Sequence, residues 1–380
     1  MHSRISKRTV LAVTVLAATV ASLLAASTGS ARPAGAATAA KAYPPSPLKY
    51  ILGGLKGLTL QQREARLYDL AKQEGGTLEW YTSMSALIAP AVRRGFEAKY
   101  PGIKINLYRA SSEPILQRVY AEARANVAGC DVVESNGTEL TFLQHKKDVI
   151  IPYRQSPYSL QIPKAFRFDT FTAARVEAFV VAWNTNVISN PPRTFEDLAK
   201  PEFKGKIAIE SSDDDWFAAM YQYLQTTKKM KTAALDNLMK AIFSNAKAVS
   251  GHTTGAQLLA AGQFGVFVTA HAQSVEQLQA QKAPVTFGPP FVEPVIMRPQ
   301  GVGICYRLRH KATALLFYDY LLSQEGQEIL LKNGVEPARI GFEDQSLKGT
   351  KQVLMNIRPI VSNWKKWSDK FDALIALTGK

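Results

Sequence analysis

Apolar positions along this chain follow two alternating periods. From Thr59 to Glu74, Leu60, Arg63, Leu67, Leu70 and Ala71 fall at helical spacing, and Gly75-Gly76 stops the run. Strand and helix patterns then alternate through Leu78–Tyr81, Ile88–Tyr100, Ile103–Arg109, Pro114–Ala128, Asp131–Glu134 and Leu140–His145. Such alternation predicts a parallel, doubly wound α/β sheet. A second alternating set runs from Phe179 to about Pro284. Its opening is a β-rich run, Phe179–Trp183, followed by Pro191-Pro192 and a short helix start at Thr194-Phe195-Glu196-Asp197. Lys206–Glu210 then reads as a strand, and Ser211-Ser212-Asp213-Asp214-Asp215 opens a helix carried on to Leu224. Val295–Tyr306 and the helix from Ala312 return to the first sheet. One sheet interrupted by another requires two crossings, placed near Thr172–Phe179 and Val285–Val295.

The order of these pieces resembles a known family. The segment FVVAWNTNVISNPPRTFEDLAKPEFKGKIAIE, with LEWYTS and FEAKYP before it and TGAQLLAAGQFGVF and LLFYDYLLSQEGQEILLKNG after it, is similar to the extracellular solute-binding proteins of ABC importers. The resemblance covers roughly residues 60–380 and points to the branch containing the ferric-ion-binding proteins. It implies a type 2 periplasmic-binding-protein fold, two doubly wound α/β domains joined by a two-segment hinge. Mapped onto this chain, residues 41–76 are a lead-in and helix, 77–175 with 290–380 form domain 1, and 176–289 form domain 2. The implied function is capture of a small polar or anionic solute, or a chelated metal, by hinge closure. The implied partner is a membrane permease, with the protein a monomer, without cofactor and not an enzyme.

Two further expectations rest on that resemblance. The family's return strand lies antiparallel beside the third strand, which brings Cys130 and Cys305 together as a disulfide, with two buried free thiols as the alternative. The ferric branch holds its metal with an adjacent tyrosine pair, and here those positions fall in Thr269-Ala270-His271-Ala272-Gln273. Phenolate oxygen is the hard donor that Fe(III) selects, so direct ligation of ferric iron by this chain is not expected.

Composition narrows the compartment more than the chemistry. Arg4, Lys7 and Arg8 precede an apolar run from Val10 to Ala26, with small residues after it, the layout of a secretory leader over residues 1–40. Cleavage is expected near residues 36–40, leaving the mature chain secreted or periplasmic. Losing Arg4, Lys7, Arg8 and Arg32 with no acid takes the net charge from +15 to +11. That balance suits an anionic ligand or envelope surface as well as ordinary surface charge. No interleaving of basic and aromatic residues points to nucleic acid.

The ligand site of an open α/β sheet lies beyond the carboxyl ends of its strands. Those ends here carry Tyr81-Thr82-Ser83, Ser111-Ser112, Ser135-Asn136, Ser211-Ser212, Thr254 and His271. The candidate ligand set is Tyr81, Thr82, Ser83, Ser112, Ser135, Asn136, Trp183, Ser212, Asp215, Trp216, Thr254 and His271. Helix N-termini there offer unpaired N–H groups, though Ser, Thr and Asn also cap helices without any ligand. Tyr81, Trp183 and Trp216 either stack on a ligand or fill the core. Asp213–Asp215 stabilise a helix start or, if one faces the cleft, receive a cationic group. No G-x-S-x-G elbow, H-E-x-x-H pair, P-loop or dinucleotide motif is present. The competing classes are a ligand sensor for a membrane receptor kinase and a secreted α/β hydrolase.

Overall fold

The chain enters the fold through α1 (Lys49–Gly54) and α2 (Leu60–Gln73). The computed structural model describes residues 47–379 except 87, 155, 343 and 344, so the expected leader lies outside the described residues. A capping box starts α2: Thr59 Oγ1 accepts from the Gln62 amide at 3.2 Å and Gln62 Oε1 accepts from the Thr59 amide at 3.0 Å. Its buried face is Arg63, Leu67 and Ala71. The arginine is tolerated because Nε donates to Asp319 at 2.8 Å and Nη2 to the Tyr153 hydroxyl at 2.7 Å.

Three βα units follow: β1 (Thr77–Thr82) with α3 (Ala89–Lys99), β2 (Lys104–Arg109) with α4 (Ser112–Arg124), and β3 (Val132–Asn136) with α5 (Gly137–Gln144). The long strand β4 (Phe171–Asn184), buried at all 14 positions, leads out of them. A second set comprises β5 (Ile207–Glu210), α6 (Asp214–Thr226), α7 (Thr232–Ser244), β6 (Ala246–Val249), α8 (His252–Ala260), β7 (Val266–His271) and α9 (Ala272–Ala280). After the short β8 (Val285–Thr286), β9 (Val295–Ile304) runs back. The chain closes with α10 (Lys311–Leu322), α11 (Gln324–Lys332), β10 (Glu336–Pro337), β11 (Gln352–Leu354), α12 (Ile357–Ser362) and α13 (Trp364–Ile375).

The sheet path is β2-β1-β3-β9-β4-β7-β5-β6, and each half repeats one plan. In the first half β1 lies parallel between β2 and β3, with β9 antiparallel beside β3. In the second half β5 lies parallel between β6 and β7, with β4 antiparallel beside β7. The two returning strands pair with each other from Phe171↔Gly303 to Phe179↔Ile296, and this ribbon joins the halves. Of the two expected crossings, Thr172–Phe179 lies in the part of β4 that pairs with β9, whereas Val285 and Thr286 pair with Asn184 and Trp183 in the second half.

Two features tie the ends together. Cys130 precedes β3 and Cys305 follows β9, whose residues Val132 and Ile304 are register partners; the two cysteines are disulfide-bonded with Cα atoms 5.9 Å apart. The bond closes a loop with a sequence separation of 175 residues, so Cys130→Ser with Cys305→Ser is expected to cost about 4 kcal/mol by urea denaturation. The second feature is the C-terminus. Of residues 290–380, α10 packs on α2, β1 and β3, α11 on α3 and α12 on both α5 and α6, whereas α13 packs on α6 and α7 of the second half. Among the described residues no helix is long and apolar enough to cross a membrane.

Candidate functional site

The parallel strands of both halves point their carboxyl ends at one cleft of about 790 Å³. Rim residues from the first half are Ser83, Arg109, Ser112, Asn136 and Glu139. The second half contributes Glu210, Ser212, Asp213, Asp214, Asp215, His252, Thr254, His271 and Gln273. The floor is the joining ribbon itself, through Arg175 and Glu177 of β4 and Arg298 and Gln300 of β9. These four alternate along their strands, so the pleat puts them on one face, and Arg175↔Gln300 and Glu177↔Arg298 are register partners. Trp364, Phe371 and Asp372 of α13 complete the wall.

Buried charges on the floor are held by a continuous network. Arg175 Nε donates to Glu134 Oε1 at 2.9 Å, its Nη1 donates to Glu177, and Thr82 donates to Glu134. Glu177 also receives both His271 Nδ1 at 2.8 Å and the Gln273 amide at 3.0 Å. Arg298 Nη1 lies 3.1 Å from Asp215 Oδ1 and 3.7 Å from Asp213 Oδ1, with its guanidinium 4.6 Å over the Phe179 ring. Thr138 of the first half donates to Asp215 of the second at 2.7 Å. His252 pairs with Asp213 at 3.0 Å and stacks on His271 with ring centroids 3.6 Å apart. Glu210, Asp213 and His252 form the group of potential metal ligands found among the described residues. Each is already engaged, Glu210 by the Gly251 amide and by Ser212 and the other two by each other.

The protonation states follow from burial and neighbours. Burial opposes ionisation of Glu177, but His271 and the Arg175 guanidinium hold it well below the usual carboxylate range. Burial drives the His271 imidazole down to about 4 against the pull of Glu177, so at neutral pH the ring is neutral and Nδ1–H is the donor. For His252 burial is outweighed by Asp213, and its pKa is raised. Burial, with Asp215 adding repulsion, pushes Glu139 up to about 8. Burial followed by Asp215 and Asp213 does the same to Asp214, also about 8. Native Glu139 and Asp214 therefore hold protons that the unfolded chain releases, and their contribution is lost as pH rises toward 8. His252 acts in the same direction above its ordinary value, whereas the contribution of His271 is complete by about pH 6.5. Between pH 6.5 and 8.5 the ligand-free protein is thus expected to lose stability, by up to about 1.4 kcal/mol per pH unit per group, measurable by urea denaturation.

Of the residues expected from the sequence, Ser83, Ser112, Asn136, Ser212, Asp215, Thr254 and His271 come together on the cleft wall. The remaining five do not line it. Tyr81 is buried against Tyr108, its hydroxyl donating to Glu122 at 2.9 Å, and Thr82 supports Glu134 beneath the floor. Ser135 is buried within β3, Trp183 sits in the core beside Val266 and Thr286, and Trp216 packs against Phe179 and Phe195. Asp213 does not cap α6; its carboxylate serves His252 and Arg298 instead. The sequence reading missed Arg175, Glu177, Arg298 and Gln300, and the signal for them was the i, i+2 pair of polar residues inside each long apolar strand.

Among solved structures, the periplasmic binding protein AfuA of Actinobacillus pleuropneumoniae is 22% identical, with a TM-score of 0.69, covering 80% of this chain and 99% of that one. Apo ferric ion-binding protein A of Pasteurella haemolytica is 20% identical, with a TM-score of 0.66 and coverage of 79% and 98%. The Trichodesmium protein IdiA (FutA) is 21% identical, with a TM-score of 0.60 and coverage of 79% and 99%. These likenesses show the type 2 periplasmic-binding-protein fold. A search of curated proteins returns no match. The family described as bacterial extracellular solute-binding protein matches residues 142–358, more than half the chain. This chain therefore belongs to the bacterial extracellular solute-binding proteins.

Proposed function

We propose that the protein is the solute-capturing component of an ABC importer, working outside the cytoplasm as a monomer after removal of its leader. It takes up a small polar solute in the cleft and closes by bending of the β4–β9 ribbon. The closed form is what it presents to a membrane permease, and no covalent chemistry is involved. The domains would then be residues 77–175 with the return segment from about 300, and residues 176–294, with α13 riding on the second.

The observation that carries this reading is the placement of one cleft at the carboxyl ends of β1, β2, β3, β5, β6 and β7, floored by the two strands that join the halves. An anionic end of the solute finds its partners on the first half, where Arg109, Ser83 and Ser112 gather at the start of the 13-residue α4. AfuA was solved with fructose-6-phosphate and IdiA with iron and citrate, both ligands with anionic groups. Among the described residues lining this cleft there is no tyrosine, which favours an organic solute over directly ligated ferric iron. The hydrolase alternative gains nothing here, since Ser212 Oγ donates to Glu210 rather than to a histidine.

A thermal-shift screen of the chain from residue 41 tests the reading. A solute at about 100-fold over its dissociation constant adds about 2.7 kcal/mol of stability. That is a rise of roughly 4 °C for a chain of this size. Asn136→Ala and Arg109→Ala are each expected to weaken the responding solute about tenfold. Unchanged affinity in both variants would place the solute elsewhere.

A further inference from the structure

The cleft has an excess of acid over base that its own pairings do not absorb. Eight carboxylates line it, Glu113, Glu139, Glu177, Glu210, Asp213, Asp214, Asp215 and Asp372, against Arg109, Arg175 and Arg298. Both buried arginines are committed to Glu134, Glu177, Asp213 and Asp215. Left over at the junction of the halves are Glu139 and Asp214, neither of which has a basic partner within ion-pair distance among the described residues.

A second, independent observation concerns hydrogen-bonding capacity. Gln300, 1% exposed, lines the cleft with Oε1 unpartnered. Glu139 Oε2, Gln273 Oε1 and His271 Nε2 are likewise buried without partners, and on the neutral His271 ring Nε2 is an acceptor. Arg298 Nε is the unpartnered donor on that floor. Once Glu139 is ionised these are four acceptors against one donor, a site that wants donors from its ligand. Register keeps these groups together: Gln300 pairs with Asn136, whose Nδ2 lies 3.1 Å from Glu139 Oε1, and Gln300 follows Arg298 by one pleat.

We propose that the junction of the two halves is an ammonium-accepting subsite, so that the captured solute carries a protonated amine which Glu139, Asp214 and Gln300 receive. This deepens the solute-capture reading and rests on it. An organic ammonium fits better than a metal ion, because the converging metal-type donors of this cleft are Glu210, Asp213 and His252, all engaged internally. The raised pKa of Glu139 and Asp214, each about 8, adds a signature. Glu139 faces Asp214 and Asp215 from α6 and Arg298 from β9; Asp214 faces Asp213, Asp215 and Asp372 of α13. A bound ammonium favours both ionised forms, so binding releases protons and affinity rises from pH 6 to 8.

The test is calorimetric titration of the chain from residue 41 with matched pairs: glucosamine 6-phosphate against glucose 6-phosphate, phosphoethanolamine against ethyl phosphate, β-alanine against propionate, and putrescine against butane-1,4-diol. The expected result is at least one amine binding tenfold or more tighter than its deaminated partner. That preference should disappear in Glu139→Gln or Asp214→Asn. Both variants are expected to fold, since each removes a charge the empty cleft disfavours, and urea denaturation at pH 8 checks this. A deaminated partner binding as well as its amine overturns the subsite while leaving solute capture intact. A preference unchanged in both variants, or no binding by any amine, overturns it too.

Discussion

Arg298→Met is expected to destabilise the protein by about 3–5 kcal/mol at pH 8, the cost of leaving buried charge without its partner. The guanidinium lies 3.1 Å from Asp215 and 3.7 Å from Asp213, and Glu139 and Glu177 also feel it. Methionine keeps the volume over the Phe179 ring, so the loss isolates charge from packing. Glu139, raised to about 8 by burial and Asp215, loses a cation that favours its ionised form, so the penalty grows as pH rises and the variant should be impaired less at pH 5 than at pH 8. Urea denaturation at the two pH values measures the difference. A loss below about 1 kcal/mol at pH 8 would mean that Asp213 and Asp215 are held by other groups.

Phe371→Ala should cost about 3–5 kcal/mol, the range for truncating a buried aromatic. Phe371 is 1% exposed, with ring centroids 5.7 Å from both Phe217 and Phe243. Those partners lie on α6 and α7, so hydrogen-exchange protection should drop on these helices and not on α5. Loss of protection on α5 instead would return the C-terminal helix to the first half. The same residue borders the cleft, so solute affinity should weaken together with stability.

How much of this was legible in the sequence follows from how far each contact reaches along the chain. Serines, threonines and amides just past a strand advertise themselves, because the strand pattern fixes where the chain emerges. Ser83, Ser112, Asn136, Ser212 and Thr254 are therefore both readable and on the wall. Tyr81, Trp183 and Trp216 share those neighbourhoods, but large rings gain more from burial, and the alternation of strand and helix faces turned them into the core. The floor was hidden for a different reason. Arg175 is made tolerable by Glu134, 41 residues earlier, and Arg298 by Asp215, 83 residues earlier, and no local pattern carries such pairings. The packing of the C-terminal helix on α6 and α7 is not legible because its amphipathic face, Trp367, Phe371 and Leu374, says that it packs without saying on what.

The central claim is that a solute in this cleft draws the two halves together. Spin labels at Gln117 on α4 and Lys240 on α7, one exposed site on each half, allow the distance between them to be measured by double electron–electron resonance. With the solute that gives a saturable thermal shift, the distance distribution is expected to shorten and narrow at saturation, and in Asn136→Ala to do so only at about tenfold higher concentration. An unchanged distribution with the site fully occupied would contradict closure about the β4–β9 ribbon.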